Sequence, residues 1–160
     1  MNALARVVVM GVLAMISAVS CSGSKADMVE GPQTDIATLR KFVTLQPTPI
    51  EAKWSVAKIG TDAVPGPSDT TIWAVVRYSE ADFTAVSRAL RADDAGRPIT
   101  VSAPPAWLLA DVNLARFRHG SDYVFEHPVS AGRPFASDLY STGFALILPD
   151  HRVLVHFSST

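Results

Sequence analysis

The chain has 160 residues, of which 48% are hydrophobic and 18% charged, with 14 basic against 15 acidic side chains. That length favours one domain, and the near-even charge excludes both a strongly basic nucleic-acid footprint and a highly charged disordered chain. A single cysteine excludes a disulfide framework and any site built from several thiolates.

The hydrophobic residues are concentrated at one end. Residues 1–20 hold 15 of them and one charge, Arg6, and the 13 residues from Val7 to Val19 carry no charge. A permanent membrane span needs about 20 predominantly apolar residues, so this run is short for one. A basic residue, an apolar core and then the small residues Ala18, Val19 and Ser20 follow the order of a secretory signal. The next residue is the lone cysteine, Cys21. Without residues 1–20 the chain keeps 140 residues, about 44% hydrophobic, with 13 basic and 15 acidic side chains. That is ordinary for a globular domain.

The segment Ala18-Val19-Ser20-Cys21 resembles a bacterial lipobox, the cleavage motif of secreted lipoproteins. The resemblance implies that residues 1–20 are a signal peptide and that Cys21 becomes a lipid-bearing N-terminus with palmitate-type chains. Ser22, where an aspartate would retain the protein at the inner membrane, implies an outer-membrane anchor facing the periplasm. Acylation also gives the unpartnered cysteine a role. Each buried lipid CH₂ contributes about 0.8 kcal/mol, and stable attachment takes more than one chain.

Residues 21–33 read as the lipidated end and a flexible tether, small and polar, spanning on the order of 20 Å as a coil. Residues 34–160 read as a single α+β domain. Thr34 is expected to cap a short helix with Asp35 in its first turn; Ile36, Leu39 and Val43 share a face with Phe42 beside them. Alternation from Ile50 through Ala52, Trp54 and Val56 predicts a half-buried strand, and Val64 to Asp69 a loop around Pro65-Gly66-Pro67. That loop and the strand after it resemble segments of small uncharacterised bacterial lipoproteins. Thr71 to Tyr78 is apolar on both parities, as a central strand covered on both faces should be.

Ser79-x-x-Asp82 opens a helix in capping-box fashion, with Phe83, Val86 and Leu90 as its core stripe. Asp93-Asp94 reads as its solvated end, followed by the turn Gly96-Arg97-Pro98. Ile99 to Val101 is expected as a short strand, and Ala106 to Ala115 as a helix burying Leu108, Val112 and Ala115. Tyr123 to Glu126 is a further strand, and Gly132-Arg133-Pro134 a second turn. The chain closes with a β-hairpin around a two-residue Asp150-His151 loop, pairing Leu148 with Val153, Leu146 with Val155 and Phe144 with Phe157. Together these elements predict an antiparallel β-sheet with two or three helices packed on one face.

Chemistry is sparse by comparison. The histidines His119, His127, His151 and His156 form no close helical pair, so neither a metal nor a cofactor is expected. His156 should share a face with Leu154, pair with Ala145 and serve as a partly buried structural residue. No glycine-flanked nucleophile elbow and no phosphate-cradling loop is present. Arg116-Phe117-Arg118-His119 is the one local basic run, and Trp107 lies off the Leu108–Val112 stripe. Trp107, Arg116, Arg118 and His119 are therefore the candidate interaction surface. The expectation is a membrane-anchored, non-enzymatic module that binds a periplasmic protein as an inhibitor, immunity or assembly factor, and no nucleic acid. A module for an envelope polymer or small ligand is the alternative, with an envelope hydrolase third.

Overall fold

The computed structural model describes residues 32–59, 69–94, 97–102, 104–126 and 130–159. The export segment, Cys21, the tether as far as residue 31, the Pro65-Gly66-Pro67 loop and His127 lie outside the described residues. The chain enters the fold at a sheet edge. Gln33 and Trp54 exchange two backbone hydrogen bonds of 2.7 and 2.9 Å, and the Trp54 indole donates to the Asp35 carbonyl at 3.1 Å.

Asp35, one residue later than expected, caps the first helix, α1 (Ile36–Leu39). Its carboxylate accepts from the backbone N–H groups of Ala37 (3.1 Å) and Thr38 (3.0 Å) and from the Thr38 hydroxyl. A carboxylate can satisfy two orphan donors at once, which the Thr34 hydroxyl could not. Strand β1 (Glu51–Ile59) then buries Ala52 and Trp54, while Ile50 stays 52% exposed just before it. Strand β2 (Asp69–Arg77) runs antiparallel to β1 and is buried on both parities from Ile72 to Val76. Helix α2 (Glu80–Ala92) begins at the expected cap: Ser79 Oγ accepts from the Asp82 N–H at 3.2 Å and donates to the Asp82 carboxylate at 2.7 Å.

Strand β3 (Ile99–Ser102) leads to helix α3 (Ala106–Asp111), shorter than its apolar pattern predicts. Val112 is already extended, and the Asn113 side chain accepts from the Ala115 N–H at 3.3 Å, a local bond that competes with the helix. Leu114, not Ala115, is the next buried residue. A 3-10 turn, strand β4 (Arg118–His119) and strand β5 (Asp122–Phe125) follow, and strands β6 (Thr142–Leu148) and β7 (Arg152–Ser158) close the chain.

The strands form two antiparallel sheets, one ordered β1-β2-β7-β6 and a smaller one ordered β3-β5-β4. This is the expected α+β architecture. Helices α1 and α2 cover one face of the larger sheet, where Leu39, Val86 and Leu90 meet Ile72, Val76, Val155 and Phe157. The other face carries an additional layer, in which Leu108 of α3 and Tyr123 and Phe125 of β5 pack on Trp73, Phe144 and Leu154.

The β6–β7 hairpin differs from expectation by one residue. Pro149 joins the loop, Asp150 and His151 both take left-handed φ near 60°, and Leu148 pairs with Arg152, Leu146 with Leu154 and Phe144 with His156. Both strands are apolar on both parities, so the pattern alone accommodates either register; a slip buries one apolar set in place of another. Gly143 discriminates between the two. It lies opposite Phe157, where a Cβ would collide with the His156 carbonyl oxygen and lie 2.6 Å from the Phe157 ring.

Gly143→Ala should therefore destabilise the fold by about 3 kcal/mol, read as a lowered denaturant midpoint. Gly120→Ala, where a Cβ meets nothing within 4 Å and only the φ of +65° is strained, should cost about 1 kcal/mol.

Candidate functional site

Alternation along the strands sets two cross-strand rows on the face of the larger sheet that carries the second layer. Ser55, Trp73, His156 and Phe144 are register partners in one row, and Ala57, Thr71, Ser158 and Thr142 in the next. The first row is mostly aromatic and the second mostly hydroxyl. Strand β3 and Pro105 stand over these rows and leave a cleft of two adjoining hollows, about 390 Å³ and about 310 Å³, which share Val101, His156 and Ser158.

His156 lies at the centre of the cleft. Its ring centroid is 4.1 Å from Trp73 and 5.1 Å from Phe144. Nε2 lies 2.9 Å from Thr71 Oγ1, and that hydroxyl also lies 3.1 Å from the Phe157 carbonyl oxygen. The hydroxyl has one proton: given to the carbonyl it leaves Nε2 as the donor and Nδ1 as an acceptor, and given to Nε2 it leaves Nδ1 as a donor. Burial pushes the imidazole pKa down to about 4, because the charged ring would lose its hydration. The expected structural, partly buried histidine is found, although its cross-strand partner is Phe144 and not Ala145.

The four residues of the candidate interaction surface do not converge. Trp107 is half-buried against β1: its indole donates to Ser55 Oγ at 2.9 Å, and the Lys53 ammonium lies 5.6 Å over its ring. Arg116 is exposed beside Phe117 and lines a separate hollow of about 320 Å³ next to β6. Arg118, which donates to the Gly120 carbonyl at 3.1 Å, and His119 are exposed on β4. β1 and β6 are opposite edges of the larger sheet, roughly 14 Å apart across three strand spacings. The basic run thus stays contiguous, and the tryptophan belongs elsewhere.

Asp93 is the other correction. It is 9% exposed rather than solvated, and it accepts from Ser130 Oγ (2.8 Å) and the Arg133 N–H (2.9 Å) while pairing with the Arg133 guanidinium (3.3 Å). On the far side of the sheet, Asp111 ties α3 to Lys53 (3.3 Å) and Arg152 (3.9 Å). Among the described residues no group of three or more His, Cys, Asp or Glu could hold a metal, and no helix is long and apolar enough to cross a membrane.

The hydroxyl row escaped the sequence reading. Its one trace is that three strand ends carry Ser or Thr beside apolar runs, at Thr70-Thr71, Ser141-Thr142 and Ser158-Ser159. Only the register shows that Thr71, Ser158 and Thr142 are neighbours. In comparisons with known proteins the chain matches no family model, no curated protein and no solved structure.

A depressed histidine pKa makes a signed prediction. The unfolded chain takes up the proton near the ordinary value of 6.5, and the folded protein only near 4. Stability is therefore complete above pH 6.5 and falls as pH drops toward 4, by roughly 3 kcal/mol. Denaturant unfolding at pH 7 and pH 4.5 should show the loss, and His156→Phe should remove that part of the pH slope.

Proposed function

We propose that this chain is a lipid-anchored binding module of the bacterial cell envelope, attached through Cys21 to the outer membrane and facing the periplasm. It acts by recognition rather than catalysis. The observation that carries this reading is the cleft between the two layers, a concave surface with ordered polar groups, which suits a bound ligand. Thr71 Oγ1 and His156 Nε2 stand 2.9 Å apart, the distance of a nucleophile and its base, but among the described lining residues no carboxylate stands beside the imidazole to orient it as a base.

The cleft supports the reading of a polymer- or small-ligand-binding module. A periplasmic protein partner has a separate support, the exposed Arg116, Arg118 and His119, which remain a contiguous basic surface for an acidic partner.

Two measurements test this. Cys21→Ser should abolish palmitate labelling and release the protein from the membrane fraction; continued membrane association would make residues 1–20 the anchor. Replacing Arg116 and Arg118 together with alanine should leave retention on isolated envelope polymer unchanged. A loss of retention would move recognition from the cleft to the basic run.

A further inference from the structure

We infer that the inter-sheet cleft binds an uncharged oligosaccharide, with the Ser55, Ser158 and Thr142 hydroxyls and His156 Nδ1 meeting its hydroxyl or amide groups. The His156 ring and Val101 would pack against its C–H faces, with Trp73 and Phe144 buried behind the imidazole. This deepens the reading of the cleft as a recognition site and rests on it.

Three features select that chemistry. The first is charge. Among the described residues, Arg97, exposed at one mouth, is the only charged side chain lining either hollow. An ionic ligand would lose hydration inside without gaining a counter-charge.

The second is the set of uncommitted polar groups. Ser158 and Thr142 hydroxyls have no protein partner among the described residues, and Ser55 Oγ accepts from Trp107 while keeping its own proton. His156 Nδ1 adds a further polar group, an acceptor or a donor according to the tautomer. An apolar ligand would strand all four, whereas a polyhydroxylated one can give and accept along the row.

The third is the surface that supplies these groups. They come from the side chains of a sheet face and are set in a row, whereas an extended peptide draws its affinity mainly from a backbone ladder. The edge strand β3 lines both hollows as well, so a peptide is one arm of the test. The two hollows meet at His156 and cross the four strands, a span of roughly 14 Å. That calls for at least two linked sugar rings, one on each side of the imidazole.

The test titrates the detergent-solubilised full chain with tri-N-acetylchitotriose, cellotriose and the neutral peptide N-acetyl-trialanine amide, followed by calorimetry and tryptophan fluorescence. Saturable binding of an oligosaccharide is expected. His156→Phe, which keeps a ring and removes Nδ1, and Ser158→Val should each weaken it about five- to tenfold. Near-UV circular dichroism verifies that each variant keeps its packing; Thr142→Val, at an exposed position, provides a third variant if either does not. Arg116→Ala should bind like the parent.

Tighter binding of the peptide, itself weakened by the cleft variants, would overturn the saccharide and leave the cleft as a recognition site. If none of the three probes binds in a way the cleft variants alter, the saccharide assignment is overturned. Retention on isolated envelope polymer that the same cleft variants do not alter would overturn the cleft reading as well.

Discussion

The Phe157 ring occupies the space that a side chain at Gly143 or at Gly132 would need. A Cβ at Gly132 would lie 2.8 Å from the end of that ring, and one at Gly143 would lie against its side. The ring thus fastens β6 to β7 in one register, and that register defines the rows of the cleft. Gly132 is held in turn by its own turn. Its N–H donates to Ser130 Oγ at 2.9 Å, and Ser130 and Arg133 both donate to the buried Asp93 carboxylate at the end of α2. A helix end, a turn, an aromatic ring and a strand register therefore form one mechanical chain. Moving any member would shift Ser158 relative to Thr142.

How much of this was legible in the sequence depends on how far apart the partners lie. The Ser79–Asp82 box could be read because donor and acceptor are three residues apart. The central position of β2 could be read because both parities of Ile72 to Val76 are apolar. The hairpin register could not, because a sheet covered on both faces asks for apolar residues at every position. The same two-sided burial that announced a central strand removed the signal that would have aligned it. The burial of Asp93 depends on Ser130 and Arg133, more than 35 residues away, and nothing beside it in sequence distinguishes it from Asp94. Nor is the end of α3 visible in apolar spacing, since it comes with an Asn113 side chain accepting from the Ala115 N–H two residues on.

The candidate surface failed to assemble for a related reason. Trp107 was set apart by lying off the buried stripe of its helix, which is true, but the space off that stripe is filled by β1. A half-buried indole with its N–H on Ser55 and a cation over its face is a strut between layers. The basic run, by contrast, keeps its exposure beside β4, an outer strand of the smaller sheet. The hydroxyls of the cleft were passed over because Ser and Thr at strand ends are common. Their significance comes only from sitting side by side on three strands.

The entry of the chain at Gln33 has a mechanical consequence. Any pull on the residues upstream reaches the body through the two backbone bonds shared with Trp54 and the indole bond to the Asp35 carbonyl. Those bonds load the outer strand of the larger sheet, and the Trp54 indole is seated in the layer beneath α1 and α2. The rows of the cleft belong to the opposite face. If the chain is anchored as proposed, tension on that segment would act first on β1, which also carries Ser55 and Ala57 of the cleft rows, so anchoring and the cleft meet on one edge strand.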